Sequence, residues 1–437
     1  MSGDRIAVRA GIALGALALA LPSAAAAQTE SRLSADVSAT AGYSNNPFTT
    51  QGSSTGSAVV TVDVSPRYQL LTERSTFTLS ADANLQQYLN DYGRNGSYSG
   101  AVDYQGRPSE SVTAHARIDL QSSVLGAFNS YLPGTAGVGL IDPITGIGAG
   151  VGAGTGTGVD GAAGTVAVVP IAPVSTLMPV TDIGLFGLRN RRRTARASGD
   201  IGVGVTARDS LTFSVYGEAT RYSGLDFGNY EAYSGTVGYS RRVSDYVNVG
   251  LQGSASSYNY RSSNADTRSY SIQATASARL SPIWSASGAI GVSFVNSDSA
   301  LSTNSTSLSG SINVCRRGQL STMCAQLARQ VSPTGLAGSQ YVTSAGLNWS
   351  RQLDERQNLS LSANYSKVGG GDTRLLAGSL PLQDEYVQAT AGYDRRLRDR
   401  LRLVASVNYR QLVGGDNGRP ADYGGQIGLS YRIGDTR

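Results

Sequence analysis

The chain has 437 residues, 40% of them hydrophobic and 15% charged, with 54 glycines and 23 tyrosines. This glycine- and tyrosine-rich balance suits exposed sheet better than a packed globular core or a helical membrane protein. The net charge of +5 comes from 36 basic residues, of which only Lys367 is a lysine, against 31 acidic ones; an arginine skew of this kind reflects codon usage and gives no ground for a nucleic-acid partner.

At the start, Arg5 and Arg9 precede an apolar run over 10–21, then Pro22, Ser23 and alanines ending at Ala27. A basic segment, a short apolar core and small residues at the end predict a secretory signal peptide over 1–27, cut before Gln28. The run is shorter than the roughly 20 residues a membrane-spanning helix requires. The mature chain, 28–437, is then an exported domain.

From Leu33 to Ile433 small or apolar residues alternate with polar ones in stretches bounded by turns. The pattern is plainest near the C-terminus. Val387, Ala389, Ala391 and Tyr393 share one phase, a charged turn follows at 396–400, and Leu401, Leu403, Ala405, Val407 and Tyr409 resume that phase. A period of two is the signature of a strand with one apolar face. Short turns are expected near 71–75, 106–110, 208–210, 242–245, 281–283, 316–321, 352–357 and 396–400. Longer loops are expected near 46–56, 90–96, 124–195, 224–231, 261–268, 296–305, 332–340, 369–384 and 414–421.

Stretches of roughly 9–14 residues that alternate in this way cover the about 9–11 residues that a tilted strand needs to cross a bilayer and, with short and long connections in strict succession, predict an all-β fold: a transmembrane antiparallel up-and-down β-barrel of about eighteen strands, with sixteen as the alternative count. An exported barrel belongs to the outer membrane of a Gram-negative cell, and the alternation of connections puts both termini in the periplasm. Tyr43, Tyr68, Tyr104, Tyr239, Tyr270, Trp284, Trp349, Tyr365, Tyr393, Tyr409 and Tyr431 fall near strand ends on the apolar phase, where amphipathic rings mark the headgroup level.

The third long loop, 124–195, is rich in Gly, Ala and Val and contains five prolines, so regular helix is not expected there. It reads either as a constriction folded into the lumen or as a low-complexity insertion outside the barrel. The apolar stretches at 166–171 and 183–188 favour some packing. Arg189, Arg191, Arg192, Arg193 and Arg196 stand at its base, where guanidinium groups would suit a phosphate-rich outer surface or form an ordinary solvated run. Within the loop, Gly156-x-Gly158-x-x-Gly161 matches a dinucleotide-binding pattern by chance, since no strand, helix or acidic partner frames it.

On the phase opposite the apolar residues lie Asp63, Asp82, His115, Arg117, Asp119, Glu218, Arg279, Arg402 and Arg410. These are the expected lumen-lining residues, and barrels of 16–18 strands are wide enough for an aqueous channel. Cys315 and Cys324 fall on the same phase of adjoining strands, so an exported chain is expected to join them as a disulfide. The single histidine excludes multi-histidine metal sites, and no nucleophile motif accompanies it; no catalytic residue, cofactor or metal is expected.

Near the C-terminus, Gln426, Gly428, Tyr431 and Ile433 resemble the signal read by the outer-membrane barrel assembly machinery, although Gly434 to Arg437 follow where an aromatic residue usually ends the chain. Gly42-Tyr43-Ser44-Asn45-Asn46-Pro47-Phe48 is similar to the opening segment of a family of outer-membrane β-barrel porins that often accompany exopolysaccharide gene clusters, including those of sphingan-producing bacteria. The resemblance implies a porin-like channel for polar solutes, with export components for surface polysaccharide among its partners beside lipid, lipopolysaccharide and the assembly machinery. The competing expectation is a non-conducting structural or adhesive barrel with a plugged lumen.

Overall fold

The computed structural model describes residues 30–50, 55–125, 183, 186, 189–224, 228–261, 266–297, 304–333, 339–369, 385–413 and 419–434. The expected signal peptide over 1–27 and the third-loop residues 126–182 lie outside them. Eighteen strands follow one another: β1 (Glu30–Ser44), β2 (Ser57–Leu71), β3 (Ser75–Tyr88), β4 (Arg94–Ser109), β5 (Val112–Val124), β6 (Arg191–Gly204), β7 (Asp209–Tyr222), β8 (Tyr230–Arg242) and β9 (Val247–Tyr260) form one half. The other half is β10 (Thr267–Arg279), β11 (Trp284–Ser297), β12 (Ser305–Arg317), β13 (Ser321–Pro333), β14 (Ser339–Asp354), β15 (Gln357–Gly369), β16 (Glu385–Arg396), β17 (Leu401–Val413) and β18 (Asp422–Gly434).

Each strand pairs antiparallel with its sequence neighbours, and β1 pairs with β18, so the sheet closes on itself. Closure removes the sheet edges that hydrocarbon does not tolerate, apart from one stretch of the β12–β13 seam. The fold is a closed antiparallel barrel of eighteen strands. The first and last described residues, Glu30 and Gly434, lie at the end that carries the short turns.

Alternation places the two faces. Val60, Val62 and Val64 on β2, Phe213 and Val215 on β7, Val249 and Leu251 on β9, Ile290 and Val292 on β11, and Ile427 and Leu429 on β18 are all exposed on the outside. A row of this kind around a closed sheet is the apolar belt of a membrane barrel, not a failed core. Aromatic residues bound the belt. Toward the long loops stand Tyr43, Tyr98, Tyr233, Tyr270, Phe294 and the tilted ring pair Tyr409–Tyr423, whose centroids are 5.3 Å apart. Toward the short turns, Tyr68 sits opposite Leu33, Tyr104 opposite Phe77, Trp349 opposite Met323 and Tyr431 opposite Leu401. Tyr423 and Tyr431 are eight residues apart on β18; at about 3.4 Å per residue and about 40° of tilt, the girdles stand about 21 Å apart, close to the height of such a belt.

The β1–β18 closure needs glycine. A β-carbon on Gly428 would overlap the Ala39 carbonyl oxygen, and one on Gly42 would overlap the Gly425 carbonyl oxygen. Gly428 of the C-terminal signal and Gly42 of the opening segment thus have a local reason: each lets its backbone approach the neighbouring strand.

One stretch of wall departs from the regular pattern. β12 and β13 pair only over Gly310–Arg317 against Thr322–Arg329, whereas β13 and β14 stay paired as far as Pro333 opposite Ser339. The Tyr341 hydroxyl donates to the Ser293 carbonyl of β11 at 3.3 Å, and Val331 and Tyr341 are buried in one cluster with Val295 of β11. The long-loop end of the β13–β14 hairpin therefore leaves the wall, passes behind β12 and packs its outer-phase side chains on the lumenal face of β11.

Candidate functional site

The nine expected lumen residues all occupy the inner phase of their strands. Asp63 lies between exposed Val62 and Val64 and accepts hydrogen bonds from Ser38 at 3.0 Å and from Asn84. Asp82 accepts one from Ser99 at 3.2 Å. Arg402 pairs with Asp394 at 3.8 Å, and Arg279 is exposed at the short-turn end of β10.

The remaining five belong to two buried polar systems. The first descends the wall from β6 toward the short turns. Register sets Arg196 beside Asp119 on β5 and Glu218 on β7, and His115 beside Asp200 on β6 and two positions from Arg117. Arg192 approaches Glu218 at 3.6 Å; Arg196 donates to Glu218 at 2.7 Å and lies 3.8 Å from Asp119. Arg117 lies 3.7 Å from Asp119 and 3.9 Å from Asp103, and the His115 ring nitrogens meet Asp103 at 2.9 Å and Asp200 at 3.0 Å. Charges of alternating sign thus run along one side of the lumen. Glu218 is the most enclosed member. It also accepts hydrogen bonds from Tyr216 and Thr220, each at 2.6 Å, and from Tyr230 at 2.9 Å. A carboxylate without water requires such a full set of donors.

The second system pins the opening segment into the long-loop end. Arg410 donates twice to Asp422, at 2.6 and 2.9 Å, and once to the Pro47 carbonyl at 3.0 Å. Asp422 also accepts from the Ser44 hydroxyl at 2.5 Å and the Asn46 amide at 3.1 Å, while the Asn46 side chain donates to the Pro420 carbonyl at 2.9 Å. Thr49 and Arg189 adopt left-handed backbone, so both segments turn sharply. Phe48 is fully buried against Tyr88 and Tyr92, with the Arg189 guanidinium 4.7 Å from its ring centre. The seven-residue motif is thus a folded strap across the rim.

Between these systems an apolar cluster occupies the long-loop half of the lumen. Tyr222, Tyr230, Tyr258, Tyr260 and Tyr386 come from the inner phase of four strands, all within a few residues of a long loop. Leu125, Ile183 and Phe186 from the third connection join them. The Phe186 ring meets Tyr386 edge-on at 5.2 Å, and Arg419 donates to the Phe186 carbonyl at 2.7 Å. Burial pushes the Arg419 guanidinium down from its ordinary value. The described end of the third connection therefore packs inside the barrel.

One expectation needs correction. β6 begins at Arg191, so the basic run is not the base of the loop but the top of a strand. Alternation then divides it: Arg192 and Arg196 are buried in the lumen beside Glu218, and Arg193 faces outward. The lumenal tyrosines lie on the polar phase, opposite to the apolar phase that carries the expected interfacial rings. Tyrosine on the polar phase next to a long loop is the sequence signal that marks them.

Cys315 and Cys324 stand opposite each other in the register and form a disulfide on the lumen side. Among the described residues no group of three or more His, Cys, Asp or Glu is placed to hold a metal ion.

The fold and this interior define a transmembrane β-barrel with a charged lumen narrowed at one end. No family model and no curated protein matches the chain. Solved structures do: OccK2 (OpdF) of Pseudomonas aeruginosa in complex with glucuronate, at 12% identity and a TM-score of 0.43 over 93% of this chain and 98% of that one. A BenF-like porin from Pseudomonas fluorescens Pf-5 matches at 9% identity and a TM-score of 0.44, over 93% and 99%. An anion-selective porin from Comamonas acidovorans matches at 10% identity and 0.38, over 93% and 100%.

Proposed function

We propose that the protein is a porin-like channel of the outer membrane that passes small polar solutes, with its constriction at the long-loop end and both termini in the periplasm. The observation that carries this is the division of every strand into an apolar outer phase and a hydroxyl- and charge-bearing inner phase. A wall of that kind wants water against it, and eighteen strands enclose room for it. The alternating charges on β5–β7 offer a solute groups of both signs along its path, which suits small zwitterions and sugars better than a single class of ion. Lipid around the belt, lipopolysaccharide beside outward residues such as Arg193, and the assembly machinery at β18 are the partners on this reading. No comparison supports polysaccharide export.

A swelling assay on reconstituted liposomes tests it. Small sugars and amino acids should enter faster than through protein-free bilayers, with entry falling as solute size rises. Swelling no faster than the protein-free control would overturn it. The buried tyrosine cluster favours the second reading, a closed structural barrel, and that reading predicts the flat result.

A further inference from the structure

An open strand edge in hydrocarbon strands backbone donors and acceptors, so membrane barrels avoid one. This barrel has one at the long-loop half of the β12–β13 seam. Ser305–Ser309 of β12, about 15 Å of strand, have no pairing with β13. The Leu308 carbonyl on that edge is met by the adjacent Ser307 hydroxyl at 3.4 Å. Depth follows from the register: Leu308 is opposite Val292 and Thr306 is opposite Phe294 of the aromatic girdle, so the parting begins below the headgroup level.

Behind the parting lies the outer-phase face of the inward-leaning β13–β14 hairpin. It carries Val331 and Tyr341, packed on Val295, and at the floor of the slot Arg329. Arg329 is exposed; its guanidinium donates to the Thr343 hydroxyl at 3.1 Å and lies 5.5 Å from the centre of the Tyr341 ring. Among the described residues no carboxylate is within ion-pair distance of it. A bilayer-facing guanidinium without a carboxylate, at the foot of an apolar slot, is a site for an anion with an apolar body.

We infer that the parted seam is a lateral port for an acidic amphiphile, a single-chain molecule with one carboxylate. The carboxylate rests on Arg329, and the tail takes the place of the contact that Val331 and Tyr341 make with Val295. The route joins the apolar cluster of the lumen to the neighbouring half of the bilayer. It opens sideways through the wall, whereas polar solutes follow the barrel axis.

The test uses the full barrel in detergent, titrated with a dansyl-labelled undecanoic acid and scored as fluorescence displaced by excess decanoate. Wild type should bind saturably. Arg329→Gln should weaken binding about tenfold, as expected for loss of one charge-assisted contact, while leaving the neutral probe N-phenyl-1-naphthylamine unaffected. Extending the register past Gly310 opposite Arg329 sets Leu308 opposite Val331, so a Leu308→Cys/Val331→Cys disulfide should close the seam and abolish binding, with recovery on reduction; reduced wild type controls for Cys315–Cys324. If that disulfide does not form, Val331→Glu must abolish binding in its place. Polar-solute swelling should be unchanged in Arg329→Gln, whose side chain lies on the outer phase and outside the lumenal cluster. Non-saturable binding by wild type, or equal binding by wild type and Arg329→Gln, would overturn the port. Displacement by phospholipid but not by decanoate would also overturn it, by showing that Arg329 holds a lipid headgroup.

Discussion

The β1–β18 seam joins strands at opposite ends of the chain, while the β12–β13 seam joins strands linked by a short turn, yet the distant pair is the more thoroughly laced. β1 and β18 keep register from Ser34–Gly434 to Ser44–Gly424. Arg432 bridges to Asp36 at 3.0 and 2.9 Å, Thr40 donates to Gln426 at 3.2 Å, and Asp422 binds Ser44 and Arg410. β12 and β13 lose register above Gly310 and have a disulfide near their turn. Chain proximity makes a hairpin easy to close, so its seam can be parted for other uses. A closure between the termini carries the largest loop entropy and needs cross-links along its whole length.

The largest effect should come from the lacing of the closure. Arg410 and Asp422 are 3% and 0% exposed, so Asp422→Ala leaves a buried guanidinium without its carboxylate and should cost about 3–5 kcal/mol. Urea titration of heat-modifiable mobility would show this, and a shift no larger than that of a surface variant would mean the seam does not depend on the pair.

A reference for the ordinary wall is Val237 of β8, exposed on the belt between the two seams and set between the girdle residues Tyr233 and Tyr239. Val237→Arg should impair insertion by about 2–4 kcal/mol near the midplane, whereas Arg at the neighbouring inward Thr236 should be tolerated. Equal tolerance on both faces would contradict the assignment of phases.

At the parted seam, replacing Cys315 and Cys324 together by serine should lower stability by about 2 kcal/mol, the expected value for a bridge closing a loop of this size. The loss should appear as faster proteolysis near 318–320, with the β1–β18 end untouched. The smallest effect is expected from Asp36→Asn. Its partner Arg432 is 35% exposed, and a pair so open to water contributes about 0.2–1 kcal/mol. A loss as large as that of Asp422→Ala would show that burial does not decide the strength of the closure.

The barrel was legible because alternation is local: Val387 to Tyr393 and Leu401 to Tyr409 announce their faces without any knowledge of their neighbours. The inward lean of β13–β14 was not. Val331 and Tyr341 keep the same phase as Leu327 and Ala345, so a period of two places all four toward lipid; only packing on Val295 moves two of them inside. The lumen charges were readable singly, as Asp119, Glu218 and Arg410 were, but their assembly required register. Arg196 meets Glu218 because β6 starts at Arg191, a boundary hidden between a glycine-rich connection and a run of arginines.

On the proposed function, the polar lumen is narrowed by the tyrosine-lined cluster at the long-loop end. Single-channel recording in planar bilayers tests it most directly, comparing wild type with Phe186→Ala/Tyr386→Ala, which removes the edge-on ring pair, and with Arg279→Ala at the wide end. Wild type should give discrete steps, the double variant larger ones, and Arg279→Ala steps of wild-type size. Folded, heat-modifiable protein that gives no steps in wild type and none in the double variant would contradict the account.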